Sequence, residues 1–142
     1  MKPLSYIPEG HNSVSPYLMV EDIDSVTGFL IKTFGAQLLE RMLDTDGKAR
    51  HAEVKIGDSV VMMGRAREDY PAMPCMVHVY CEDVDSAYLR AMGAGGETLM
   101  APTDQFYGNR EAGVKGPGGI QWWMATRIEE VSEEELLRRA SE

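Results

Sequence analysis

No stretch of this 142-residue chain approaches the roughly 18 consecutive apolar residues that a bilayer-spanning helix needs. The opening MKPLSYIPEG lacks the basic-then-apolar order of a secretion signal, so the sequence predicts a cytoplasmic protein without a membrane partner. Cysteine is nearly absent. Cys75 and Cys81 fall in one strand-like run, where extended backbone at about 3.3 Å per residue holds them roughly 20 Å apart, too far for a disulfide. Neither belongs to a CxxC pair, which leaves them as reduced core cysteines rather than redox or zinc ligands. Basic residues are in deficit too, 14 against 23 acids, for a net charge of -9. Binding a phosphate backbone takes a basic face that displaces counterions, so nucleic acid is not an expected partner. The acidity serves solubility, and its field would favour a cationic ligand.

What the chain does have is enough apolar content, 44%, to bury one core without disulfides or metals, so residues 1–142 are read as a single domain. It also contains a duplication. Glu21-Asp22-Ile23-Asp24-Ser25 recurs as Glu82-Asp83-Val84-Asp85-Ser86, and each copy follows a strand-like run and precedes a helical pattern that ends in glycine.

In the first half, residues 13–20 read as a strand and Asp22 as a helix cap that accepts from exposed amides. Val26, Phe29, Leu30, Thr33 and Phe34 recur at helical spacing, and Gly35 supplies a left-handed stop. Strands over 36–43, 48–56 and 59–64 follow, separated by turns at Asp44–Gly47 and Gly57-Asp58. The second half repeats this order. It has a strand at 75–81, a helix capped by Asp83 with Val84, Ala87, Tyr88 and Ala91 inward, a stop at Gly93–Gly96, and strands near 98–102, 108–115 and 120–125. Residues 65–74, polar with two prolines, read as the linker. Ser132 and Glu135 have capping-box spacing, which predicts a short C-terminal helix over about 131–141 carrying Leu136 and Leu137. The fold class is α+β: module one over about 11–65, module two over about 75–127, then the helix.

The paired β-α-β-β-β halves, ED-[IV]-D-S before each helix, HAEVKIGDS before a strand, DQFYGNR at 104–110 and a GPGG turn into IQWW together resemble the vicinal oxygen chelate superfamily. That group includes glyoxalase I, extradiol dioxygenases and bleomycin-resistance proteins, and the likeness covers about residues 11–127. It implies two tandem modules whose curved mixed sheets surround a concave pocket, and a homodimer with pockets near or across its interface. Enzymes of the superfamily hold a divalent metal with His, Glu or Gln on the first and last strands of each half. Set on that pattern, the four positions here carry Ser15, Met62, Met76 and Trp123. Thioether and indole groups are not donors that Mg, Mn, Ni or Zn favour, so the inherited metal site is expected to be lost and no cofactor is expected.

Strand alternation puts Ser13, Ser15, Tyr17 and Met19 on one side, and Met76, His78 and Tyr80 on one side. Ala52, Val54 and Ile56 suit a helix-covered face, which leaves His51, Glu53 and Lys55 for the concave one. His78 offers a proton-exchanging group or plain pocket lining. His51 and Glu53 offer an acid-base pair or an exposed ion pair. Tyr107 and Arg110 offer a clamp for a carboxylate or phosphate, or else a tie from Arg110 to Asp104 or Glu111. Met19, Met62 and Met76 with Trp123 make an adaptable apolar wall, or plain core, and Gln121 completes the ligand-binding candidates. No catalytic residue is assigned. The leading expectation is metal-independent binding or sequestration of a small organic molecule, as in the bleomycin-resistance branch. The alternative is a lyase, isomerase or dioxygenase whose Zn, Ni, Mn or Fe is held by His51, Glu53 and His78. A third reading has the pocket filled by the protein's own side chains.

Overall fold

In the computed structural model, which describes residues 3–142, the chain runs in two similar passes. The first is β1 (Tyr17–Val20), α1 (Ile23–Phe34), β2 (Gln37–Leu43), β3 (Ala49–Ile56) and β4 (Ser59–Arg65). The second is β5 (Met76–Tyr80), α2 (Val84–Gly93), β6 (Glu97–Asp104), β7 (Asn109–Lys115) and β8 (Gln121–Arg127), followed by α3 (Glu133–Ala140). Each pass builds one four-stranded sheet, in the orders β1-β4-β3-β2 and β5-β8-β7-β6. In both sheets the first strand runs parallel to the last, and the other neighbours are antiparallel. The fold class and the two-module plan are those the sequence predicts. Among the described residues no helix is long and apolar enough to cross a membrane.

Local chemistry explains the element ends. The Asp22 and Asp83 side chains accept from the Ser25 and Ser86 amides, giving α1 and α2 equivalent N-caps. Gly35 ends α1 at φ 65°, a left-handed conformation that glycine adopts without a Cβ penalty. Ser132 caps α3 by accepting from the Glu135 amide. β1 is shorter than predicted. Pro16 has no N–H to give the ladder, so its carbonyl, accepting from the Met62 amide at 2.9 Å, marks where pairing begins, and Ser13 and Ser15 lie before the strand.

Each sheet turns one face to its helix. Leu18, Val20, Val54 and Met63 meet Ile23, Val26 and Leu30 in module one, and Ala112, Val114 and Met124 meet Val84, Ala87 and Ala91 in module two, all in a single buried cluster. The two halves are joined through this cluster. The Phe34 ring lies 6.0 Å from that of Trp122, and Nε of Arg90 on α2 donates to the Thr33 carbonyl on α1 at 3.0 Å. Cys75 and Cys81 are free and only half-buried at the edge of this core, and burial pushes both thiols up from their ordinary range.

Candidate functional site

With the helices on one side, the opposite face of each sheet carries the polar candidates. On the first sheet the exposed side presents Tyr17 and Met19 from β1, His51, Glu53 and Lys55 from β3, and Met62 from β4. The alternation around buried Ala52, Val54 and Ile56 requires this.

A chain of hydrogen bonds crosses this face. His51 Nε2 lies 2.9 Å from Glu53 Oε2, and Tyr17 Oη lies 3.2 Å from His51 Nδ1. Glu53 receives a second imidazole, with His11 Nε2 2.7 Å from its Oε1. Bonds from His51 and then His11 hold the Glu53 carboxyl below its ordinary range despite burial, and the Glu53 bond raises His11. An ionised carboxylate only accepts, so both Nε2 atoms donate to it. In a neutral His51 ring, Nδ1 then has its lone pair free for the Tyr17 hydroxyl proton. The arrangement sets a phenol and an imidazole on the open face of the sheet as hydrogen-bonding groups.

Tyr17 reaches His51 because of Gly64, which pairs with His51 on one side and Met19 on the other. A Cβ at residue 64 would stand 2.9 Å from Cε1 of Tyr17 and 3.0 Å from its hydroxyl, so only glycine leaves the ring its path. Above the network lies a cleft of about 860 Å³, within the usual range for small-molecule sites. Tyr17, His51 and Met19 form its floor, Met42, Tyr70 and Met73 its apolar walls, and arginines part of its rim. A cleft of about 870 Å³ elsewhere, among Phe34, Cys81 and Arg90, contains none of the sequence-predicted candidates.

The second sheet has its own carboxylate. Glu111 on β7 accepts from Asn109 Nδ2 at 3.1 Å and from the Tyr107 hydroxyl, with His78 Nε2 at 3.5 Å. Burial alone would raise Glu111, but the bonds from Tyr107, Asn109 and His78 outweigh it and hold the carboxyl low. Burial first, then the bond to Glu111, pushes Tyr107 up to about 12. His78 meets the Tyr80 ring edge-on at 4.8 Å, and the Trp123 ring covers Gly113 while its Nε1 donates to Gln121 at 3.0 Å. Met76 is 66% exposed beside them.

Among the twelve candidates, Tyr17, Met19, His51 and Glu53 gather at the first sheet with Met62. His78, Gln121, Trp123 and Met76 belong to the second, Tyr107 lies in the turn before β7, and Ser15 precedes β1. Arg110 points to the helix side, where Asp85 and Asp104 take its guanidinium at 2.9–3.0 Å, the structural tie rather than a free clamp. The alternative metal set does not assemble: His51 and Glu53 bond to each other on one sheet, while His78 sits beside Glu111 on the other. Among the described residues no group of three His, Cys, Asp or Glu side chains is placed to hold an ion. The positions where the superfamily carries ligands present Met62, Met76, Trp123 and, in the loop, Ser15, a donor set that does not fit a divalent metal. Sequence reasoning missed His11, which lies in no periodic segment, and the role of Gly64, which only the Tyr17 crossing gives it.

Comparison with known proteins agrees with this architecture. An uncharacterized protein of Mycobacterium bovis, Mb0911c, is 32% identical over 138 residues, covering 87% of this chain and 89% of that one. The crystal structure of TioX from Micromonospora sp. ML1 superposes with a TM-score of 0.72 at 27% identity, over 82% of this chain and 99% of that one. A glyoxalase/bleomycin resistance protein/dioxygenase from Nocardioides superposes with a TM-score of 0.62 at 20% identity, over 87% and 88%. Residues 11–124 match the model of one family, and the chain belongs to it: the glyoxalase/bleomycin resistance protein/dioxygenase superfamily.

Proposed function

We propose that this protein binds and holds a small organic molecule without a metal, in the cleft over the first sheet. The observation that carries this reading is that Tyr17 and His51, the latter held by Glu53, line the cleft: the apolar walls of Met42, Tyr70 and Met73 stand over fixed hydrogen-bonding groups. Ligand sites combine apolar surface with convergent polar atoms that set orientation, and this cleft has methionine and tyrosine side chains beside charged and hydrogen-bonding ones. The absence of suitable donors among Ser15, Met62, Met76 and Trp123 supports binding over metal-dependent lyase or dioxygenase chemistry.

A homodimer fits the same reading. Tyr17, Met76 and Tyr80 are each more than half exposed on the faces turned away from the helices, where a second copy would cover apolar surface.

The test is a thermal-shift screen of varied organic molecules, followed by NMR mapping of each stabilising compound. The expected hits shift the resonances of Tyr17, His51 and Met73 together, and sedimentation gives a dimer mass. Stabilisers that map elsewhere, or stoichiometric Zn, Ni, Mn or Fe retained through gentle purification, would overturn the proposal.

A further inference from the structure

Resting on the reading of this cleft as the ligand site, we infer the chemical class of its ligand: an organic oxyanion with a flat or bulky apolar body, its charge held by Arg50 and Arg67. The protein as a whole is strongly acidic, with 23 acids against 14 bases, yet this cleft is lined by three arginines and one aspartate. Arg65 is already engaged, 2.9 Å from Asp46 and 3.7 Å from Asp44. Among the described residues neither Arg50 nor Arg67 has a carboxylate partner, so the rim has two guanidinium groups available to an incoming anion.

Both are placed rather than merely exposed. Met42 pairs with His51 and the next residue, Leu43, pairs with Ala49, so β3 has one residue more than β2 and Arg50 is the extra one. Such a bulge puts two successive side chains on one face. Ala49 and Ala52, three apart, therefore both enter the core, while Arg50 and His51 both line the cleft. Strict alternation would have sent Arg50 to the helix side. Arg67 is fixed by a reciprocal backbone pair with Tyr70, at 2.9 and 3.0 Å, that sets its guanidinium 4.8 Å over the tyrosine ring. Guanidinium groups bind carboxylate, sulfonate and phosphate oxygens in the same forked geometry. An anion on these two would lay its body along Met42, Tyr70 and Met73, with Tyr17 and His51 beneath.

Two dyes with the same aromatic body separate charge from shape: 8-anilino-1-naphthalenesulfonate and its uncharged counterpart N-phenyl-1-naphthylamine. On the full chain, Arg50→Gln with Arg67→Gln is expected to weaken sulfonate binding by about tenfold or more and leave the neutral dye unchanged. Lys115→Gln, which removes a charge from the other sheet, should change neither. Displacement of the sulfonate by 1-naphthoate or 1-naphthyl phosphate, but not by 1-naphthol, supports the inference, and their order tells carboxylate from phosphate. A sulfonate affinity that ignores both arginines, or equal displacement by 1-naphthol, overturns the anion assignment while leaving the cleft as a ligand site. Failure of both dyes to bind overturns the reading of the cleft itself.

Discussion

The Tyr17 hydroxyl lies 3.2 Å from Nδ1 of His51, and the ring gets there over Gly64, a position without a side chain. Two strands separated by a third thus share one hydrogen-bonded unit, and a single missing Cβ decides whether it forms.

Gly64→Ala tests this directly. Its new methyl group would fall inside contact distance of the Tyr17 ring, so unfolding measurements should show a loss of about 1–3 kcal/mol. In a Tyr17→Ala background the same change should cost less, because only the 3.0 Å approach to the flexible Met19 Sδ remains. A full, additive cost in the double variant would refute this account of Gly64.

Glu53→Gln should destabilise by about 1–3 kcal/mol, with a distinctive pH dependence. Glu53 is held below its ordinary value of 4.5, so its contribution is complete above that pH and is lost as pH falls through the lowered value. His11 is raised above 6.5, so its contribution is complete below 6.5 and is lost as pH rises through the raised value. The difference in stability between native protein and variant should therefore peak between about 4.5 and 6.5. A pH-independent difference in parallel thermal melts would count against the two-imidazole clamp.

Trp122 and Trp123 are adjacent in sequence but should respond very differently. Trp122 is fully buried against Phe34 and helps join the modules, so Trp122→Ala should cost about 3–5 kcal/mol. Trp123, on the opposite face over Gly113, should cost clearly less by the same denaturant titration.

Tyr107 should be the tyrosine that ionises late. An ultraviolet titration of the folded protein should contain a phenol near 12 that is missing in Tyr107→Phe. Because burial first and then the bond to Glu111 raise this value, the neutral phenol favours folding until pH rises through it, so the variant should lose its stability deficit only in strong alkali.

Much of the site's scaffolding is legible in the chain because it depends on local rules. Asp22 and Asp83 announce helix starts through side-chain capping, and the alternation around Ala52, Val54 and Ile56 assigns His51 and Glu53 to the open face. Other parts are not. His11 meets Glu53 only after the N-terminal segment folds back over the sheet, and Arg50 escapes strict alternation through a bulge. A contact between distant segments determines the first and pairing with β2 the second, and no period within one strand encodes either.

The sequence by itself determined the two-module α+β plan and the family, since periodicity, caps and side-chain chemistry are properties of neighbouring residues. Only the tertiary structure decided that His51 and His78 serve separate carboxylates, that Arg110 is consumed by Asp85 and Asp104, and that the described cleft belongs to the first sheet. Those outcomes turn on which atoms from distant segments come within hydrogen-bonding reach, a relation that arises when strands pair and sheets pack.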